Sequence, residues 1–362
     1  MQDYNPKVFV VSWSPNGIRL CESLSQEIIK SHREGISTWF NCSIADFMPY
    51  LVEKIQDVNP DILVFGFTQS AKPGDYFFSD LMRNQLPDFF YHEIGKSKFM
   101  GFGGYLSGRG IRIAVYAHKN YLPEVFRTSK NKYDITFESY SCATLAGTGG
   151  IAAYLQTTAG TLCFICVSLP DETQTLIEAR RFDDYSIRQR YVDKISKCLN
   201  AIVTKLYVRH KVYPDAVVLF GNFGYKIIFE RKVPASRAIQ FMASIENPDE
   251  WKEIRSGDEL YREIMANKVG YFFSEGVDDK GPQFLPNCPM IVGRPNLCQT
   301  QEIRNRFAEC FEIETTQSVA PSWCERILYS GKFKALEYSR FDVGETMRNS
   351  THAGVYSVLQ FS

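Results

Sequence analysis

The residues best placed to do chemistry follow one strongly apolar segment. Ala216–Phe220 has the pattern of a buried strand, and it leads directly into the turn Gly221–Gly224. A glycine-bounded turn at a strand end presents its side chains at the edge of a sheet, where residues often take part in binding or catalysis. Asn222 could serve such a site or only close the sheet, because asparagine is common in turns.

Cysteine and histidine spacing argues against a zinc site. Cys163 and Cys166 are spaced like half of one, but no second Cys or His pair lies at a matching distance. Both fall in the strand-like run Thr161–Leu169, so we expect reduced thiols in a core and a cytoplasmic protein. Four histidines also lack the spacing of metal ligands. They are His32, His92, His118 and His210.

Composition fits an ordinary globular protein. The 362 residues are 44% hydrophobic and 23% charged, with 41 basic and 41 acidic side chains. No linker or repeat marks a boundary, so we predict one domain over residues 1–362. The N-terminus lacks a secretory pattern, and no apolar run approaches the roughly 18 residues that would span a bilayer.

Strand-like and helix-like segments interleave along the chain. Hydrophobic periodicity predicts helices over Ser23–Ser31, Ala45–Gln56, Asp184–Val212 and Glu259–Met265. It predicts strands over Lys7–Trp13, Asp61–Phe67, Arg112–Ala117, Gly150–Gln156, Thr161–Leu169 and Ala216–Phe220. This content favours an α/β fold of two packed sheets flanked by helices.

A family resemblance extends over residues 8–357. Pro321–Leu328, with sequence PSWCERIL, resembles the motif PAWCDRIL of inositol polyphosphate 5-phosphatase domains, which belong to the endonuclease/exonuclease/phosphatase superfamily. Five shorter matches follow the family's order: Asp61–Phe67, Gly149–Ala152, Phe164–Leu169, Gly221–Ile227 and Ser350–His352. The resemblance implies a four-layer α/β/β/α sandwich of two mixed sheets. It also implies Mg²⁺ held by carboxylates, an Asp/Asn pair that orients water and a charge-stabilising His.

Two positions early in the chain depart from the family pattern. Ser14 replaces the asparagine that ends the family's first strand, although Thr38–Asn41 is a second candidate for that motif. The metal-binding glutamate of the family aligns with Gln69, or with Ser70 if one residue is inserted. Neither side chain is a carboxylate.

The later motifs lose more of the catalytic groups. Ser168 stands where the family has a histidine, Asn222 where it has the aspartate, and Gly224 where it has the asparagine. Glu325 keeps a carboxylate, one methylene longer than the family's aspartate. His352 is retained, but Thr351 replaces its acidic neighbour, so we expect the imidazole to lack an orienting partner.

Phosphate recognition is weakened in the same way. The family's Asn-Lys becomes Gly147-Thr148, and its Pro-Thr-Tyr-Lys-Tyr becomes Pro286–Met290, so two phosphate-facing lysines are missing. Arg326 remains, but an arginine beside a carboxylate more often forms a structural ion pair than a ligand contact. We therefore expect weakened phosphoinositide binding.

The long predicted helix carries a basic face. Between Arg188 and Lys211 its cations are Arg188, Arg190, Lys194, Lys197, Lys205, Arg209 and Lys211, against the single acid Asp193. Such a face is either a solvated surface or a docking surface for an acidic partner, which could be a protein, RNA or a ribonucleoprotein.

We therefore predict a catalytically inactive relative of the 5-phosphatases that acts as a binding or scaffolding module without a cofactor. The first alternative is an active, divergent Mg²⁺-dependent phosphatase that uses Glu325 with Asp75, Asp171 or Glu172. The second is a nucleic-acid-binding protein whose basic helix joins the old cleft.

Overall fold

The computed structural model describes residues 5–14, 42–71, 91–95, 98–102, 109–142, 148–169, 185–209, 213–228, 235–245, 250–269, 273–288, 321–341 and 352–362. Within these ranges the helices are α1 (Cys42–Val58), α2 (Tyr185–Arg209), α3 (Ala235–Ser244), α4 (Trp251–Ser256) and α5 (Glu259–Met265). The strands are β1 (Lys7–Trp13), β2 (Ile62–Ala71), β3 (Tyr91–Glu93), β4 (Lys98–Phe102), β5 (Arg109–His118), β6 (Ile135–Ser141), β7 (Gly149–Thr157), β8 (Gly160–Ser168), β9 (Ala216–Asn222), β10 (Ser274–Glu275), β11 (Glu325–Gly331), β12 (Phe333–Arg340) and β13 (Val355–Phe361).

The strands form two mixed sheets. The first has the order β12-β13-β1-β2-β5-β3, with β4 also beside β5, and the second has the order β10-β11-β9-β8-β7-β6. One parallel pair lies at the centre of each sheet, β1 with β2 and β8 with β9, and the remaining pairs are antiparallel. These central strands are apolar along almost their whole length because both of their faces are covered.

Three apolar layers hold the sheets and helices together. Alternate residues of β1 show the arrangement, since Val8 and Val10 pack between the two sheets while Phe9 and Val11 face α1. The outer face of the second sheet packs against the apolar stripe of α2. The four-layer α/β/β/α sandwich is thus confirmed. No helix among the described residues is long and apolar enough to cross a membrane.

Most predicted elements are present, with ends moved by a few residues. The helix predicted over Asp184–Val212 is α2, and the one predicted over Glu259–Met265 has the same bounds as α5. The helix predicted over Ser23–Ser31 lies outside the described residues. Strands β3, β4, β6 and β10–β13 were not predicted from periodicity.

A buried ion-pair network joins the second sheet to α5. Arg326 is fully buried, donating from Nε to Glu275 at 2.6 Å and from Nη1 to Asp258 at 2.9 Å. Asp258 also caps α5 by accepting from the Tyr261 N–H. Burial raises the pKa of Asp258, and the Arg326 charge opposes that shift. Arg326 therefore has the structural role expected of it.

We expect Arg326→Met to lower the free energy of unfolding by about 3 kcal/mol or more, because it leaves two buried carboxylates without their cation. Chemical denaturation of both proteins measures this. Lys280→Ala is the matched control, since Lys280 and Asp278 form an exposed pair 4.0 Å apart that should contribute less than about 1 kcal/mol. Equal effects of the two substitutions would contradict the structural role of Arg326.

Candidate functional site

Three of the predicted site positions lie side by side at the ends of three neighbouring strands of the second sheet. Ser168 on β8 pairs with Asn222 on β9, and Asn222 pairs with Glu325 on β11. All three are buried. Sequence positions that are far apart thus converge because each ends or begins a neighbouring strand.

The turn after β9 fixes Asn222 in place. Gly221 has a φ of 130°, and a Cβ there would lie 2.0 Å from the backbone oxygen of Val167. The Gly224 N–H donates to Asn222 Oδ1 at 3.0 Å. Asn222 Nδ2 is buried and has no hydrogen-bond partner among the described residues. The amide oxygen therefore supports its own turn, and the amide nitrogen is a buried, neutral donor.

The carboxylate of Glu325 is enclosed by hydroxyl groups from the first sheet. Ser12 Oγ donates to Glu325 Oε2 at 2.8 Å, and Ser14 Oγ donates to Glu325 Oε1. Ser14 Oγ also lies in hydrogen-bond contact with Thr68 Oγ1. All four side chains have no exposed surface. The carboxylate thus joins the ends of the two sheets.

His352 faces the same carboxylate. Its Nδ1 lies 3.4 Å from Glu325 Oε1, and its backbone oxygen accepts from Trp13 Nε1 at 3.1 Å. The Glu325 carboxylate thus lies at ion-pair distance from the ring, but the Nδ1 contact does not meet hydrogen-bond geometry, so an orienting role for Glu325 stays a prediction. Thr351 lies outside the described residues.

The other early positions are only partly described. Gln69 and Ser70 belong to β2, which brings their backbone to the end of the first sheet, and their side chains lie outside the described part of the chain. Thr148 is buried beside β7, and its hydroxyl has no hydrogen-bond partner within the described ranges. Asp75, Asp171 and Glu172 also lie outside the described residues.

Asn287 organises the site and was missed by sequence reasoning. Its Nδ2 donates to the Glu325 backbone oxygen at 2.8 Å, and its Oδ1 accepts from the Cys324 N–H at 2.8 Å. Its own backbone oxygen accepts from the Ala353 N–H at 2.8 Å. The segment aligned with the family's phosphate-contacting tyrosine and lysine thus ties Glu325 to the chain around His352.

Two cysteines of the same region form a disulfide that was not predicted. Cys288 and Cys324 are joined, and Lys226 Nζ lies 3.5 Å from Cys324 Sγ. Cys163 and Cys166 are buried and unpaired, in line with the expected core thiols. Burial, followed by the charge of Glu325, raises the pKa of the Cys166 thiol well above its usual range.

The basic face of α2 is smaller than predicted. Arg188 is buried and donates from Nε to Glu259 at 2.8 Å, so its inclusion in an exposed face is wrong. The exposed cations are Arg190, Lys194, Lys197 and Lys205. The Arg209 side chain and the whole of Lys211 lie outside the described part of the chain.

Comparison with known proteins agrees with this architecture. The family model described as Endonuclease/Exonuclease/phosphatase family 2 matches residues 27–358. The chain belongs to this family. No curated protein matches it.

Solved structures with the endonuclease/exonuclease/phosphatase fold include one of the 5-phosphatase type. The chain is similar to the inositol polyphosphate 5-phosphatase domain of SPsynaptojanin, solved with inositol (1,4)-bisphosphate and a calcium ion, at 18% identity and a TM-score of 0.60. That match covers 99% of this chain and 84% of the other. The ferrous NO complex of Cimex nitrophorin matches at 13% identity and a TM-score of 0.56, covering 99% of both chains. These likenesses show the fold.

The described residues of this family member do not fit a magnesium ion. Mg²⁺ prefers an octahedral set of oxygens that includes one or two carboxylates. Within the described site Glu325 is the sole carboxylate, and its oxygens already accept from Ser12 and Ser14. Asn222 Nδ2 is a buried amide N–H₂ group, which donates hydrogen bonds and cannot bind a cation.

We expect Glu325→Gln to lower the free energy of unfolding by about 2 kcal/mol, because two hydroxyl donors lose an anionic acceptor. Urea denaturation measures the change. Glu253→Gln on the exposed face of α4 is the matched control and should alter stability by less than about 0.5 kcal/mol. An unchanged stability for Glu325→Gln would contradict a structural role for this carboxylate.

Proposed function

We propose that this protein is a catalytically inactive member of the endonuclease/exonuclease/phosphatase family that serves as a binding or scaffolding module. The observation that most directly supports this proposal is the environment of the Glu325 carboxylate. It is fully buried, its oxygens accept from Ser12 and Ser14, and His352 faces it. A group committed to internal hydrogen bonds is poorly suited to hold a catalytic metal.

The chemistry of phosphate hydrolysis makes these losses severe. Phosphate monoesters hydrolyse so slowly in water that enzymes accelerate the reaction by up to about 10²¹-fold. A metal ion and a correctly oriented water supply much of that effect. In this chain Ser14, Ser168, Asn222 and Gly224 replace groups that the family resemblance assigns to the reaction. Several simultaneous replacements remove both functions.

Binding of inositol phosphates is weakened for a related reason. The SPsynaptojanin domain was solved with inositol (1,4)-bisphosphate and a calcium ion. In this chain Asn287 is turned to the backbone of Cys324 and Glu325, and Cys288 is bonded to Cys324. Lys226 is buried with its amine beside the sulfurs. The side chains of Asn287, Cys288 and Lys226 are therefore engaged in contacts within the protein.

The partner that we propose is a macromolecule with an acidic surface. Arg190, Lys194, Lys197 and Lys205 lie exposed along α2, while the apolar stripe of that helix packs on the second sheet. A row of cations on a rigid helix attracts acidic protein or RNA surfaces by long-range electrostatics.

We expect no Mg²⁺-dependent release of phosphate from inositol polyphosphates or phosphoinositides above the level of a His352→Ala variant. Malachite-green detection of phosphate measures this, with an active 5-phosphatase domain assayed in parallel as the positive control. Robust turnover that His352→Ala abolishes would overturn the proposal. It would favour an active phosphatase whose metal is held by Glu325 with Asp75, Asp171 or Glu172.

For the basic face, we expect Lys194→Glu, Lys197→Glu and Lys205→Glu together to weaken binding to single-stranded RNA or to an acidic polypeptide by about tenfold or more. Fluorescence anisotropy at low and at raised salt measures both affinities. Charge reversal of three exposed lysines elsewhere, Lys130, Lys132 and Lys334, is the matched control. Equal weakening by both triple variants, or binding that does not depend on salt, would contradict a docking role for α2.

A further inference from the structure

Three side chains of types that bind metals lie close together beside Glu325. One ligand atom each from Cys288, Cys324 and His352 lie within 4.8 Å of one another, and all three residues are buried. Thiolate sulfur and imidazole nitrogen are the ligands that zinc prefers. This chemistry differs from the oxygen set that magnesium requires.

The backbone holds these three residues in place independently of any metal. Cys288 and Ser322 exchange hydrogen bonds, with the Ser322 N–H donating to the Cys288 oxygen at 2.7 Å. Asn287 accepts from the Cys324 N–H and from the Ala353 N–H, next to His352. A preorganised set of ligands loses little conformational entropy when it binds a metal.

The Glu325 carboxylate lies close to His352, in the region where a carboxylate commonly supports a zinc-binding histidine. Such a histidine usually donates one ring N–H to a carboxylate and binds the metal through the other nitrogen. Here His352 Nδ1 lies 3.4 Å from Glu325 Oε1, an ion-pair distance at which the two atoms do not meet hydrogen-bond geometry.

Lys226 places a positive charge beside the two sulfurs. Its Nζ lies 3.5 Å from Cys324 Sγ and 4.0 Å from Cys288 Sγ, and the side chain is buried. A neighbouring ammonium group stabilises thiolates, and the thiolate is the form that a metal binds. This charge also offsets the negative charge that two thiolates would introduce.

We propose that Cys288, Cys324 and His352 form a zinc site when the two cysteines are reduced. Zinc takes the two thiolates and the imidazole as ligands, with the fourth position open to water. The disulfide is the metal-free, oxidised form of the same pair. This proposal is independent of whether the protein hydrolyses phosphate.

The conversion between the two forms balances chemically. A phosphine reductant breaks the sulfur–sulfur bond by supplying two electrons and becomes a phosphine oxide with an oxygen from water. The two protons of that water protonate the sulfurs, giving two thiols. Zinc then displaces both thiol protons as it forms two sulfur–metal bonds.

The test uses the full-length protein reduced with the phosphine TCEP in anaerobic, metal-free buffer. Thiol titration counts the opened cysteines, and native mass spectrometry with added Zn²⁺ gives the stoichiometry. Co²⁺ substitution reports thiolate ligation through charge-transfer and tetrahedral d–d absorption. We expect one tightly bound ion per chain, and we expect an oxidised sample to bind none.

Variants separate a ligand role from a folding role. Cys288→Ser with Cys324→Ser should lower zinc affinity by about a hundredfold or more, because two of three ligands are lost. His352→Gln keeps both thiols and should lower affinity and alter the cobalt spectrum. Cys142→Ser with Cys198→Ser is the matched control, since these buried sulfurs also lie close, 2.8 Å apart, and should leave the site intact.

Three results would overturn the proposal. The first is a disulfide that the phosphine cannot open in the folded protein. The second is a reduced protein that binds no zinc. The third is zinc binding that persists in the His352→Gln variant with an unchanged cobalt spectrum, with circular dichroism showing that the variant is folded.

Discussion

The burial of the Glu325 carboxylate constrains the whole site. A buried charge is tolerated only when its oxygens are hydrogen-bonded or paired, because burial removes the water that would otherwise solvate it. Here the partners come from the other sheet, since Ser12 and Ser14 on the first sheet donate to a residue of the second. The same contact aligns the ends of both sheets and determines which side chain His352 faces. Small hydroxyl residues at the end of β1 are therefore a structural requirement of this arrangement.

Three buried cationic side chains near Glu325 and α5 form contacts within the protein. Arg326 binds Asp258 and Glu275, Arg188 binds Glu259, and the Lys226 amine faces two sulfurs. Among the residues that the structure describes, these three buried cations each have a contact within the protein. A cation paired in this way has less net attraction for a polyanion than an exposed one, and exposed cations are present on α2.

Much of the fold follows from sequence, and the site follows only in part. Long apolar runs such as β1 and β9 are predictable because strands covered on both faces must be apolar along their length. The convergence of Ser168, Asn222 and Glu325 could be anticipated from the order of the motifs, because each motif ends or begins a strand.

Asn287 and the Cys288–Cys324 pair could not be predicted from ligand spacing, since the two cysteines are 36 residues apart. Both nevertheless lie in segments aligned with the family's site motifs, which is the signal that could have identified them. The acid that faces His352 was missed because it is supplied by another strand rather than by the adjacent residue.

The two candidate regions lie at different places in the fold. The site around Ser168, Asn222 and Glu325 lies where the ends of the two sheets meet, whereas α2 covers the outer face of the second sheet. Asn222 in place of the family's aspartate and Ser14 in place of its asparagine change groups at strand ends and leave the packed faces of those strands intact. Stability depends mainly on those faces, because they bury most of the apolar surface. Substitutions at the strand ends therefore leave undisturbed the rigid surface that α2 presents, and the retained Cys324 and His352 keep their places beside Cys288.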